Sequence, residues 1–234
     1  MTVNCVYEHN GKDTLLYADN YVGAYTRGNT VDIAIAKMPL EIKSYLQWLG
    51  KPSVSDFDIK TVQEKVSTLS VCDADSDVIF DSEKLPLAFE EYIRLKELCL
   101  KSAQDFLKQY ELIPDRDKSA LPHRDTFYGK IPRTATEMYE HTKNVNSYYF
   151  GEIGVEANND GTILECRRIG FEALEKNPDF LSMPVIVGSY DELWSLRKVL
   201  RRFIWHDRIH AKAMYRMAQK TFDCEIENVF KFAI

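Results

Sequence analysis

The chain has 234 residues, 45% of them apolar and 28% charged, with a formal net charge of −6. That composition is globular and argues against a disordered chain. The negative balance argues against a broad nucleic-acid face, which needs clustered Lys and Arg. One basic cluster is present, Arg197, Lys198, Arg201 and Arg202, and it reads as a solvated helix face. No stretch reaches the roughly 20 apolar residues that span a bilayer, and Met1–Glu8 has no basic region followed by an apolar core. The five cysteines are scattered and never form a C-x-x-C pair. This pattern fits free thiols in a cytoplasmic protein and argues against a disulfide framework or a Cys-rich zinc site.

In chain order, Thr2–Glu8 and Thr14–Asp19 read as strands around an Asn10-Gly11 hairpin signal. Thr30–Leu49 has helical spacing, and Pro39 inside it predicts a bend or a restart. Gly50–Asp58 is loop. The β-branched run Thr61–Cys72 predicts a third strand, and Val78–Phe80 a short fourth one. From Leu87 to Leu112 the periodicity is that of one long amphipathic helix, stopped by Pro114. A polar connection then runs from Pro114 to Pro132. Thr134–Ile153 is a second helix of this half, and Thr162–Asn177 a third. For the fourth, about Tyr190–Lys220, Ser189 and Glu192 form a capping-box pattern. Strands with one helix followed by four helices predict an α+β chain. Its small antiparallel sheet and helix occupy residues 1–80 and its four-helix bundle residues 85–220, with a tail to residue 234.

Two of the five histidines, His206 and His210, are four residues apart and share a helix face. They fall on the stripe Leu196, Val199/Leu200, Phe203, His206, His210, Met214 and Met217, where apolar residues are expected. A buried imidazole needs a partner. His141 falls on a second stripe with Met138, Val145 and Tyr148/Tyr149, so it too is predicted to be interior. Three histidines from two helices suit a divalent cation and leave a position open for water or substrate, as catalytic sites do. Core histidines bonded to a carbonyl or carboxylate would give the same pattern. His9 lies at a turn and His123 in a polar loop. Asp207, Glu137 and Glu140 are near in sequence and read as surface groups or as acceptors for a ring N–H.

Residues 85–220 resemble the DinB-like family of metal-binding four-helix proteins. The segments that carry the resemblance are TATEMYEHTKNVNSYYFGEIG at 134–154 and SYDELWSLRKVLRRFIWHDRIHAKAMYRMA at 189–218. The resemblance implies His141, His206 and His210 as ligands of a divalent metal, zinc or nickel first. Some members of the family place the first ligand about one turn later, where this chain has Asn144 or Asn146. It further implies a thiol-dependent S-transferase or hydrolase using a low-molecular-weight thiol and a small-molecule substrate. It permits a homodimer. Arg202 is a candidate contact for an anionic group on the thiol, against a surface salt bridge. Tyr148 or Tyr149 is a candidate proton donor, against plain packing. Trp205, next to His206, is predicted to pack on a neighbouring helix and shield the site. Residues 17–49, YADNYVGAYTRGNTVDIAIAKMPLEIKSYLQWL, resemble a HicB-like module, which implies an antitoxin-like or partner-binding fold. A metal-stabilised binding or stress-response module without turnover is the competing functional class.

Overall fold

The computed structural model describes residues 1–52, 54–126 and 129–233. The parts of the expected loops at Ser53, Phe127 and Tyr128, and Ile234 at the end of the tail, lie outside the described residues. Strands β1 (Thr2–His9) and β2 (Thr14–Ala18) form the expected hairpin. The Asn10 side chain closes its turn by accepting from the backbone N–H groups of Lys12 and Asp13, the local bonding that makes Asn a turn residue. Strand β3 (Tyr25–Gly28) follows, then helix α1 (Val31–Trp48), capped by the Thr30 side chain. Pro39 lies within α1 without interrupting it.

The last strand of the sheet, β4, spans Asp58–Val66, and the strand order is β3-β2-β1-β4. β4 pairs with β1 in parallel, so the sheet is mixed where an antiparallel one was expected. The reason is the crossover: α1 carries the chain back over the sheet, and β4 therefore starts from the same end as β1. The strand expected at Thr61–Cys72 begins three residues earlier and ends at Val66. Val78–Phe80 is not a strand. Side chains replace a ladder there: the Val78 carbonyl accepts from Arg201, and that of Ile79 from Gln63.

Four long helices make up the rest of the chain: α2 (Phe89–Glu111), α3 (Ala135–Gly151), α4 (Ile163–Leu174) and α5 (Leu196–Thr221). The two-residue strands β5 (Asp125–Thr126) and β6 (Gly129–Lys130) pair in the connection before α3, and β7 (Ile186–Val187) and β8 (Leu193–Trp194) before α5. α2 and α3 both pack on α4 and α5. The expected start of the last helix was wrong. Ser195 is its N-cap and accepts from Lys198 N–H, whereas Ser189–Asp191 turns the β7–β8 hairpin. Tyr190 and Asp191 have φ of 59°, which no helical turn accommodates.

Alternation along the strands divides the core. Val3, Cys5, Leu16 and Ala18 join a large cluster that runs through Met38, Ile42, Phe106, Leu200 and Phe230. Val6, Leu15 and Tyr17 face the other way, onto Val78, Phe80 and Trp205. α5 thus supplies Ile204 to one cluster and Trp205 to the other. Gly23 (φ 92°) lies directly against Ile204, and a Cβ there would overlap that side chain.

Three members of the basic cluster on α5, Lys198, Arg201 and Arg202, are buried and not solvated, while Arg197 is half-buried and pairs with Glu91. Lys198 donates to the carbonyls of Asp77 (3.0 Å) and Leu193 (2.7 Å) and pairs with Glu192 at 2.7 Å. Arg201 pairs with Glu83 and donates to Val78 O at 3.0 Å. Arg202 donates to Ser76 O at 3.0 Å. Six residues beyond the cluster's far end, Arg208 is fully buried and binds Glu41 of α1 at 2.6 Å. These bonds join α5 to residues 76–83 and to α1.

Removing one partner of a buried pair leaves a bare charge, which costs about 3–5 kcal/mol. Glu41→Ala is therefore expected to lower unfolding free energy by about that much in urea titrations. The double variant Glu41→Leu/Arg208→Met is expected to lose clearly less, because it removes both charges and keeps the volume.

Candidate metal centre

Helix α3 starts with a full capping box. Thr134 Oγ1 accepts from Glu137 N–H at 3.1 Å, and a Glu137 carboxylate oxygen accepts from Thr134 N–H at 3.0 Å. This fixes the first turn two turns before His141. α3 and α5 lie side by side. Tyr149, late in α3, touches Phe203, early in α5, while His141 touches His210 further along it. The two helices therefore run antiparallel.

The structure brings all three expected ligands together. Ring centroids lie 4.4 Å apart for His206–His210, 4.7 Å for His141–His210 and 5.1 Å for His141–His206. One nitrogen from each ring lies within 4.8 Å of the other two. Zinc bound at roughly 2.0–2.1 Å in a tetrahedral site holds its nitrogens about 3.4 Å apart. Small rotations of the imidazoles about χ1 and χ2 would close that difference. His206 is 7% exposed and His210 half-buried. His141 is exposed, not interior as its stripe predicted, and so forms the open side of the cluster. Its α3 neighbours Met138 and Thr142 take the buried positions instead.

The chemistry of this donor set fits a cation. Nδ1 of His206 is buried and has no hydrogen-bond partner among the described residues. Its surroundings are rings, Tyr149 edge-on at 6.0 Å and Trp205 at 6.4 Å. Burial depresses all three imidazole pKa values, His206 well below the usual histidine range and His210 to about 3, with the neighbouring histidines adding repulsion at His206 and His210. The rings are neutral at pH 7, which is the form that binds metal.

None of the three carboxylates near in sequence bonds a histidine among the described residues. Asp207 is fully buried and turned away, accepting from Ser102 and Arg167. Glu137 is the cap of α3, and Glu140 pairs with Lys143 at 2.9 Å. Asn146, one of the two alternative ligand positions, faces α4 and the loop before it, where its Nδ2 donates to the carbonyls of Cys166 and Asn158. Asn144 is exposed. His9 binds Glu64 at 2.9 Å and His123 lies 3.6 Å from Asp125, so neither joins the cluster. Of the two tyrosines, Tyr149 borders the site, while Tyr148 packs on Trp194 and is 38% exposed. Spacing held that distinction: Tyr149 is two i+4 steps from His141. Trp205 packs on the sheet, against Tyr17 and Tyr25, and not on a neighbouring helix as expected.

Arg202 is buried rather than at the surface. Its guanidinium carbon lies over three rings, Trp205 at 5.2 Å, Tyr149 at 5.5 Å and Trp194 at 5.7 Å. No described helix is long and apolar enough to cross a membrane. Comparisons with protein-family models, with curated proteins and with solved structures gave no match.

Two outcomes follow from the triad. About one divalent ion per chain is expected by elemental analysis of untagged protein equilibrated with zinc or nickel, and none in His206→Ala/His210→Ala. The second concerns pH. His206 and His210 have folded pKa values below the unfolded value of about 6.5, so the unfolded chain takes up protons first as the pH falls. Stability of the metal-free protein is then complete above pH 6.5 and declines from there towards pH 3. Each of these two rings adds up to about 1.4 kcal/mol per pH unit. Urea midpoints between pH 7 and 4 are expected to fall more steeply in the native chain than in His206→Asn/His210→Asn.

Proposed function

We propose that this chain is a divalent-metal-dependent enzyme of the DinB-like type, a thiol-dependent S-transferase or hydrolase acting on a small molecule. In this reading α2–α5 are the family's four-helix bundle. The observation that carries it is the convergence of His141, His206 and His210 within 4.8 Å, from two helices. A closed structural zinc site takes four protein ligands. Among the described residues the cluster has three, and its exposed member leaves one side accessible.

His141, His206 and His210 would hold the ion. A divalent cation bound there lowers the pKa of a thiol or water and keeps the nucleophile beside its electrophile. The remaining groups are the chain's own. His206 and His210 stay unprotonated at neutral pH because burial opposes their charge. Tyr149 walls the inner side of the site. Burial raises its phenol pKa, so its hydroxyl keeps its proton at neutral pH. The buried Trp205 ring lies 6.4 Å from the His206 ring.

The test is thiol conjugation or hydrolysis by the metal-loaded chain, with a panel of cellular thiols and a chromogenic electrophile. A rate above background that depends on metal and falls at least 100-fold in His206→Ala/His210→Ala is expected. Metal binding without turnover for any thiol would replace this reading with a metal-stabilised binding module.

A further inference from the structure

Residues 228–233 form a strap that lies against α1. Phe230 stacks on Trp48 with ring centroids 5.1 Å apart, and Phe232 is buried beside the Arg208 guanidinium. The Asn228 side chain clasps the backbone of Phe232, accepting from its N–H at 2.9 Å and donating to its carbonyl at 2.8 Å. Ser44 Oγ of α1 donates to Lys231 O at 2.6 Å. Between them these bonds hold Lys231 at φ 57°, a left-handed backbone that a residue with a Cβ keeps only where its surroundings impose it.

A cleft of about 580 Å³ lies between the strap and α1, within the size range of small-molecule sites. Lys43 and Gln47 line it from successive turns of α1, and Lys51 from just beyond the helix. The helix end fixes Lys51. Gly50 N–H donates to Gln47 O at 3.0 Å and Lys51 N–H to Leu46 O at 2.9 Å, with Gly50 at φ 65°. This closure also satisfies two of the helix's last carbonyls. Lys231 lines the cleft from the strap, and Leu40 and Phe232 supply apolar wall.

The charge of the lining is one-sided. It has three lysines and no acid, in a chain whose net charge is −6. None of the three ammonium groups has an ion pair or hydrogen bond among the described residues. Glu227, whose carboxylate senses Lys231, is bonded to Lys108 at 2.9 Å. A cleft lined by one sign of charge focuses its field and concentrates counter-ions.

We infer that this cleft binds a small organic phosphate, with the phosphate among Lys43, Lys51 and Lys231 and the organic part over Leu40. A phosphate monoester carries about −1.5 to −2 charge at pH 7, which three cations match better than they match a single carboxylate. Lysine meets it as a point charge, without the planar fork that pairs arginine with carboxylate. Leu40 is 57% exposed and gains cover from the organic part. The cleft is on the side of α5 to which Arg208 points, not the side where the histidines converge. It is a second site and does not depend on a metal.

Calorimetric titration of the full chain with phenyl phosphate, inorganic phosphate and benzoate tests this, with the neutral chelator phenanthroline present to keep metal off the histidines. Phenyl phosphate is expected to bind saturably and at least tenfold tighter than the other two, one of which lacks the ring and the other the second charge. Lys43→Gln/Lys51→Gln, at two exposed positions, is expected to weaken phenyl phosphate at least tenfold. Lys60→Gln/Lys84→Gln makes the same change in net charge elsewhere on the surface and is expected to leave it unchanged. Three results would each overturn the inference: no saturable binding by the native chain, benzoate bound as tightly as phenyl phosphate, or equal weakening in the two double variants. Co-sedimentation with phosphatidic-acid vesicles that Lys43→Gln/Lys51→Gln abolishes would also overturn it, by assigning the phosphate to a lipid surface.

Discussion

The structure depends on the burial of charged side chains along one helix. α5 carries Lys198, Arg201, Arg202, Asp207 and Arg208 at 9% exposure or less. They are tied to three different parts of the chain: Lys198, Arg201 and Arg202 to residues 76–83, Asp207 to α2 and α4, and Arg208 to α1. An ion pair of this kind adds little net stability over a well-packed apolar pair, but either charge alone would be very costly. The bonds therefore act as a set of conditions. α5 can be buried only in the one position where every cation meets its carbonyl or carboxylate.

That position is also what makes the histidine cluster. His206 and His210 come to α3 because the neighbouring residues of the same helix are held on the other sides. Arg208, between the two histidines in sequence, lies among Tyr45, Trp48 and Phe232. Trp205 inserts between Tyr17 and Tyr25. The remaining face of α5 is turned towards His141. The sheet and α1 contribute no residue to the cluster, yet they set the rotation of the helix that carries two of its three members. A site whose rings are fixed from behind needs little reorganisation to accept a cation.

Much of this was legible in the residues. The His206/His210 spacing, the apolar stripes, the Asn10-Gly11 turn and the segregation of strands before helices all follow from local periodicity, which a single sequence displays. Charge burial was not legible. A run such as Arg197–Arg202 reads as solvated because its acceptors, Ser76 O, Val78 O, Glu83 and Glu192, are carbonyls and carboxylates whose proximity only folding creates. The same applies to Glu41, 167 residues before its partner Arg208. The start of α5 was misread because Ser189 and Ser195 are both followed by plausible helix. The choice between them was made by the β7–β8 pairing, which uses residues 186–194 before the helix can begin.

By itself the sequence determined which residues carry the candidate chemistry, because helical periodicity puts i and i+4 on one face wherever the helix lies. It also determined the α+β class, through the change from alternating to helical spacing near residue 85. The tertiary structure decided that the sheet is mixed, since strand direction depends on the path of α1. It decided that His141 is the open edge of the cluster and that Asp207 and Asn146 face away, since exposure depends on which helices pack on α3 and α5. It decided, finally, that Arg202 is a buried cation one turn from His206. That is a property of neighbours brought from residues 76, 149 and 194, which no local pattern contains.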